Sequence, residues 1–330
     1  MNHYLTGDIG GTKTRIAIVA VAGSKVQILN EVSYPSRDYA SFEILLNEFL
    51  SGNEIPGHAA FGIAGPVLGR SVHTTNLPWH IDADALQRQF GFTRCTLLND
   101  LEATAYGLPA LDETDLITLQ TGATNAAGNA ALIAAGTGLG EAGLFWDGRA
   151  YHPFATEGGH TSFSPNDELD IVLLNHLQQQ HQHVSWERVV SGVGILSMHE
   201  FLRLYRHIDA PQWLVEKMHS GDAAAAIANA ALAGLDEICV ETLNWFVRLY
   251  GAEAGNLALK VMSRGGIYLG GGIAPKILPF LQNRIFIDAF LDKGRMRSLL
   301  EVMPVKVILN DRAALFGPAL RAAQVAHNSS

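Results

Sequence analysis

The sequence predicts an α/β protein of two related domains, each a mixed sheet with flanking helices, facing a common cleft. Three observations predict it. Apolar strand-like runs repeatedly give way to segments with helical spacing. A strand, a Gly-rich turn and a second strand open the chain at "HYLTGDIGGTKTRIAIVAV", and the same order returns at "AALIAAGTGLGEAGLFW". Apolar strands also end abruptly in polar residues just ahead of a helical pattern, most sharply at "TLLND" followed by "LEATAYG".

"HYLTGDIG", "TRIAIVAV" and "VQILNEVSYP" read as three strands joined by short Gly-bearing turns, an antiparallel meander. Then the period changes. Phe42, Leu45, Leu46, Phe49 and Leu50 recur at i, i+3, i+4, i+7 and i+8, one helical face, with Ser41 as cap and Gly52 as stop. "HAAFGIAG" returns to strand, "DADALQRQFG" is a short helix ending at Gly91, "RCTLLND" is a strand and "LEATAYGL" opens a helix. Strands alternating with helices in this order imply a mixed sheet covered by helices. The second half adds a hairpin and third strand in "AALIAAGTGLGEAGLFWDGRAYHPF", and helices in "ELDIVLLNHLQQQ" and from about Ala223 to Asn256. "GGIYLGGGIAPKI" is a strand entering a Gly-rich turn and a helix. The expected division is a smaller domain over 1–110, completed by about 301–330, and a larger one over 111–300. The last strand, "VKVILND", and the helix in "RAALFGPALRAAQVA" are expected to return to the first domain.

Composition narrows the function. The chain has 330 residues, enough for two domains; 48% are hydrophobic, 17% charged, and the formal charge is −9. That is a folded, enzyme-like composition. It speaks against a nucleic-acid or anionic-membrane partner, and any phosphate site must rely on local geometry. The N-terminus lacks the basic and apolar regions of a signal peptide, and the Ala-rich stretch near Ala223 is interrupted by Asn229, Asp236 and Glu237. A cytoplasmic protein is expected. Cys95 and Cys239, each in an apolar setting, read as buried free thiols.

Three Gly-rich turns follow apolar strands: Gly10-Gly11, Gly136 to Gly140, and Gly270 to Gly272. Glycine lets backbone approach a ligand and lets successive N–H groups converge on an anion. One such turn would be ordinary; three, each at a strand end, point to a nucleotide. No Gly-Lys pair exists, which removes a P-loop. Gly138, Gly140 and Gly143 fit G-x-G-x-x-G, but "LFWDGRAY" after them is strand and turn, where a dinucleotide fold needs a helix. Asn99-Asp100 admits a plain explanation, since both residue types favour helix caps. Glu157 and His160 have the spacing of a helical metal pair, but Gly158 and Gly159 between them oppose a helix. His176, His181 and His183 read as solvated polar surface, because no carboxylate or Cys completes a metal site.

The set "GDIGGTKTRIAIV", "LLND", "AAGTGLGEAGLF", "EGGHTSFSPND", "WERVVSG" and "GGIYLGGGIAPKI" resembles, in this order, the bacterial glucokinases. These are sugar kinases of the actin, hexokinase and heat-shock ATPase superfamily, and the resemblance runs from about Tyr4 to about Gly317. It implies an actin-like (ribonuclease H-like) fold and transfer of the γ-phosphoryl of ATP to the 6-hydroxyl of D-glucose, the entry to glycolysis. Carried over by residue, Asp8 would organise Mg²⁺ through water. Gly10, Gly11 and Thr12, with Lys13 beside them, would form a first phosphate turn, and Gly136, Thr137 and Gly138 a second. Gly270, Gly271 and Gly272 would lie near the adenosine. Asn99, Asp100, Glu157, His160 and Glu187 would hold the sugar hydroxyls, with Asp100 also the catalytic base. The chemistry suits the roles: each hydroxyl is donor and acceptor, and carboxylates, an amide and an imidazole pair with it. Homodimers are common in this family.

Two departures from the family pattern stand out. Lys13-Thr14 replaces the more frequent Asn-Ala, adding a cation near the phosphates, and "VSGVGI" replaces Ser-Gly-Pro-Gly. The alternatives are a second hexose or amino-sugar kinase, such as a ROK enzyme, and a sugar-responsive regulator. The first usually carries a Cys-rich zinc motif after the Gly-His pair, and "TSFSPNDELD" has no cysteine. The second would need a DNA-binding extension before the first strand, where about three residues precede it.

Overall fold

The computed structural model describes residues 2–74 and 77–328. It separates into two compact units: Met1–Asp115 with Tyr151–Ala155 and Asn310–Ser330, and Leu116–Ala150 with Thr156–Leu309.

The first unit begins with β1 (Asn2–Ile9), β2 (Lys13–Ala22) and β3 (Lys25–Pro35), an antiparallel meander. Helix α1 (Phe42–Leu50) follows, capped by Ser41, whose side chain accepts from the Ile44 N–H. Phe42, Leu45, Leu46, Phe49 and Leu50 are all buried against the sheet. Cutting the fully buried Leu46 back to Ala would cost about 2–5 kcal/mol, transfer plus cavity. Strand β4 (His58–Ile63) lies parallel to β1. A small sheet of β5 (Val67–Leu68), β6 (Ser71–His73) and β7 (His80–Asp82) leads to α2 (Ala83–Phe90), which starts at Asp82 and stops at Gly91 in left-handed conformation. Strand β8 (Arg94–Asn99) pairs parallel with β4 and runs straight into α3 (Asp100–Gly107). The order β3-β2-β1-β4-β8 aligns the carboxyl ends of β1, β4 and β8: Ile9 pairs with Ile63, and Ile63 with Asn99.

The second unit repeats this plan. It contains β9 (Leu116–Gln120), β10 (Ala130–Ala135) and β11 (Leu139–Trp146); β12 (Tyr151–Thr156) follows, its first five residues grouped with the first unit. Then come α4 (Glu168–Gln178), α5 (Gly192–Arg206), α6 (Gln212–Ser220), α7 (Ala223–Leu232) and α8 (Glu237–Val261). After β13 (Gly266–Gly270), a run of turns replaces the expected helix until the single-turn α9 (Leu278–Leu281), where Pro279 is tolerated in the first turn. Helices α10 (Arg284–Leu291) and α11 (Arg297–Glu301) precede β14 (Val305–Ile308). β11 pairs antiparallel with β10, and β13 and β14 continue parallel, as β2, β1, β4 and β8 do.

The return to the first unit starts at Asn310, so β14 stays in the second unit's sheet and only α12 (Ala313–Asn328) crosses back. α12 packs on α3 so closely that a side chain at Gly317 would strike the Ala103 carbonyl. The stretch expected to be helical from Ala223 is two helices bent by 102°. No single helix among the described residues is long and apolar enough to cross a membrane.

Candidate active site

In the first unit, Asp8 is the penultimate residue of β1 and pairs across the sheet with Arg15 of β2. Arg15 is nearly buried. Its Nη2 donates to Asp8 Oδ2 at 2.9 Å and to the Asp311 carbonyl at 2.8 Å, and its Nη1 reaches Asp311 Oδ2 at 2.8 Å. Burial disfavours the Arg15 charge, but Asp8, Asp311 and Glu31 outweigh it and push its pKa up. Asp8 therefore faces a fixed cation. The turn beyond it is closed by the Gly10 N–H donating to the Lys13 carbonyl (3.1 Å), and tied down by Ser36, which donates to Gly10 O (2.7 Å) and, through its N–H, to Thr12 O (3.0 Å). Thr12 and Lys13 are exposed at its tip.

Asn99 and Asp100 lie at the same edge of that sheet, on the junction of β8 and α3. Asn99 Oδ1 accepts the N–H groups of Leu101 (3.0 Å) and Glu102 (3.4 Å), and its Nδ2 donates to the Gly65 carbonyl (3.2 Å). Asn99 is thus the helix cap, and much of its hydrogen-bonding capacity is spent inside the protein. Asp100 opens the helix, with Oδ1 accepting from its neighbour Leu101 at 2.9 Å. A similar Asn turn occurs after β14, where Asn310 Oδ1 accepts the Arg312 N–H at 3.0 Å. The carboxylate that follows it there, Asp311, is the one that meets Arg15.

In the second unit, Gly136, Thr137 and Gly138 form the β10–β11 turn, closed by the Gly136 N–H on Gly138 O (2.8 Å). The carboxylate of Glu187 lies against Gly138, where a side chain would collide with it, and accepts the Leu139 N–H at 3.0 Å. Ser191 donates to Glu187 O and caps α5, and Gly192 at the start of α5 donates to Gly136 O at 2.8 Å. Gly270 ends β13 in register with Ala134 of β10; Gly271, at φ +80°, presses on the Ala135 carbonyl, a position only glycine fills without strain. The two glycine turns open into one cavity of about 520 Å³, lined by Gly136, Thr137, Val193, Gly272, Ile273 and Lys276 among others. The amino ends of α5 and α7 face it, with Gly192 and Asp222 in its wall.

Glu157 and His160 bracket a single 3₁₀ turn, Gly158–His160, rather than an open loop. In that tighter helix residues i and i+3 eclipse, and His160 Nε2 is 3.9 Å from Glu157 Oε2. Both side chains are exposed, and neither belongs to a potential metal-ligand cluster among the described residues. The turn is strapped to the Glu187 segment: Trp186 N–H donates to Thr161 O (3.0 Å), Phe163 N–H to Val184 O (2.9 Å), and the His183 ring meets His160 O (2.9 Å). His183 is exposed, as expected, and also supports the turn. His176 is on α4, which ends at Gln178, before His183.

The fold thus brings Asp8, the first glycine turn, Asn99 and Asp100 to one sheet edge, and gathers Gly136–Gly138, Gly270–Gly272, Glu157, His160 and Glu187 around the matching edge of the other sheet. Four contributors escaped the sequence reading: Arg15, the α5 and α7 amino ends, and Lys276. Arg15 alternates with apolar neighbours in "TRIAIV", and a charged residue inside a buried strand was the available signal.

Residues 5–325 match the family model described as Glucokinase. A glucokinase of Trichormus variabilis is 42% identical, over 98% of this chain and 100% of its own length. The crystal structure of a glucokinase from an Antarctic psychrotroph superposes with a TM-score of 0.86 at 33% identity, covering 98% of this chain and 99% of that one. A ROK family glucokinase from Streptomyces griseus, in complex with glucose and AMPPNP, shares the fold at a TM-score of 0.65 and 21% identity, over 98% and 100% of the two chains.

Proposed function

The chain belongs to the glucokinase family, ATP-dependent hexose kinases, and on that premise we propose how its residues divide the work of moving the γ-phosphoryl of ATP to the 6-hydroxyl of D-glucose. The observation that carries the reading is the single cavity shared by the second and third glycine turns, with Glu187 bonded to the former. Adenosine would occupy the apolar part of that cavity, against Val193 and Ile273. Backbone N–H groups at the Gly136–Gly138 turn and the start of α5 would meet the phosphates, where a helix amino end favours anions. Lys276, on the cavity wall, adds a positive charge there.

Mg²⁺ suits Asp8. The ion takes oxygen ligands and keeps several waters, and with Oδ2 engaged by Arg15, Asp8 offers Oδ1 to that water shell. When bound, the ion neutralises charge on the β- and γ-phosphates. The chain's own residues do the rest. Glu157, His160 and Glu187 pair the sugar hydroxyls. Asn99 contributes only the remaining N–H of its amide and otherwise fixes α3. Asp100 accepts the 6-hydroxyl proton as that oxygen bonds to the γ-phosphorus and the bond to the ADP oxygen breaks. ADP, glucose 6-phosphate and one proton on Asp100 are the products. Complexes of a related kinase with glucose and AMPPNP support both substrates.

Purified protein with ATP and Mg²⁺, assayed against a hexose panel, tests this. Glucose should be used far better than its epimers, because moving one hydroxyl takes it away from the group placed to pair with it. Equal kcat/KM for glucose and galactose would overturn it.

A further inference from the structure

Beneath the turn bearing Glu157 and His160 lies a carboxyl group to which the reaction assigns nothing. Glu141 of β11, opposite Ile133 of β10, is 2% exposed. Its Oε1 has no hydrogen-bond partner among the described residues. Its Oε2 fills the space under Gly158 so completely that no side chain fits there. Its backbone carbonyl accepts from Thr156 Oγ1 at 3.0 Å, and Thr156 Oγ1 in turn accepts the Gly158 N–H at 3.2 Å. The turn is thus tied to the Glu141 backbone through Thr156 and rests on the Glu141 side chain. Beyond it, on α8, is the fully buried Glu253, which has donors of its own: Asn256 Nδ2 at 2.8 Å and Lys260 Nζ at 3.3 Å.

We propose that Glu141 is a positioning residue for the hexose, acting in its neutral form: uncharged, it packs under Gly158 and holds the Glu157–His160 turn down on β11, while Glu253 keeps the pair's single negative charge. This rests on the assignment of Glu157 and His160 to the sugar. The division of charge follows from the donors. Glu253 has two, one cationic; Glu141 Oε1 has none among the described residues and its carboxyl meets that of Glu253, so a charge on Glu141 would be buried beside another carboxylate. Burial first, and the nearby Glu253 second, push the Glu141 pKa up to about 8. The other groups facing the pair are Tyr250 and Lys260 on α8, Lys293 beside Glu253, and Glu157 and His160 on the turn. Ionising Glu141 creates a second buried charge without a donor. Water can reach it only by lifting the turn, and the sugar ligands move with it. Glucose binding then requires the proton, so glucose KM should rise about ten-fold per pH unit above the Glu141 pKa. The KM for ATP should not follow.

The test measures two things from about pH 7 to about pH 9.5: glucose KM, and hydrogen exchange of the segment 156–163 in the sugar-free protein, corrected for intrinsic rates. In the wild type both the exchange and KM should increase above about pH 8. In Glu141→Gln, which is neutral at every pH and nearly the same shape, both should stay level. A Glu141→Gln turn that loosens with alkali as the wild type does would overturn the proposal. If the turn loosens only in the wild type but Glu157→Gln leaves glucose KM unchanged, the sugar assignment falls and the fastening stands. Should Glu141→Gln fail to fold, Gly158→Ala supplies a second route. It should raise glucose KM at all pH values, and adding Glu141→Ala should recover part of the loss by making room. Additive losses in the double variant would show that the two positions do not meet, against the proposal.

Discussion

Replacing Asp100 by Asn separates its chemistry from its place in the fold. Within α3 the change is conservative. The cap of α3 belongs to Asn99, which the change leaves alone. The amide oxygen that the substitution introduces still accepts the Leu101 N–H that Oδ1 now holds. The substitution removes one negative charge from the first turn of a helix, about 0.3–1 kcal/mol. That term corresponds to a fall in Tm of about 2–4 °C. The catalytic cost should be far larger. Removing a general base lowers kcat about 10²- to 10⁴-fold, or about 2.7–5.5 kcal/mol of barrier. A coupled assay of glucose 6-phosphate formation at saturating glucose and ATP reads kcat; calorimetric titration with glucose reads affinity, which should change little. The two ranges do not overlap, so the outcome is decisive. A well-folded Asp100→Asn protein with near-wild-type kcat would mean that Asp100 merely begins α3.

Arg15→Met should raise the KM for MgATP at least several-fold by releasing Asp8, and lower stability by about 2 kcal/mol. That is less than the 3–5 kcal/mol for breaking a fully buried pair, since Asp311 is exposed; unchanged MgATP kinetics would detach Arg15 from the site. Glu187→Ala removes the acceptor for Leu139 N–H and the wall beside Gly138, so it should raise KM for ATP as well as for glucose. A change confined to glucose would make Glu187 a sugar ligand alone. His199, buried with Nδ1 unpartnered, has its pKa lowered to about 4, by burial first and then by Arg203. The unfolded chain, with a pKa near 6.5, binds that proton more readily, so stability is whole above about pH 6.5 and is lost as pH falls toward 4. Urea unfolding should show His199 accounting for a loss of about 2 kcal/mol between pH 7 and pH 5, absent in His199→Gln; equal losses in both would refute the assignment.

Local chemistry carried much of the fold and the candidate site. The antiparallel meander was legible because three apolar runs are separated by turns too short for a crossover. Helix α1 was legible because apolar period, cap and stop coincide from Ser41 to Gly52, and α2 because it stops at Gly91. The glycine turns and "LLND" announced themselves by sudden loss of side chain or sudden polarity at strand ends. Family membership rests on such motifs in order. Long-range pairing was not legible. "VKVILND" and "RCTLLND" read alike, yet β14 lies between β13 and β9 in the second unit while β8 borders β4 in the first. A strand's sequence states its faces and not its neighbours. Asn99 looked like a sugar ligand, and only the fold shows Gly65 and α3 consuming most of its amide. Arg15 became a partner of Asp8 through sheet register, and Glu141 and Glu253, 112 positions apart, became coupled through the packing of α8 against β10, which pairs with β11. The sequence by itself determined which groups can do the chemistry, because reactivity and turn propensity are properties of residues and their immediate neighbours. Tertiary structure decided which of those groups are free to do it, because burial, register and competing hydrogen bonds exist only once distant segments have met.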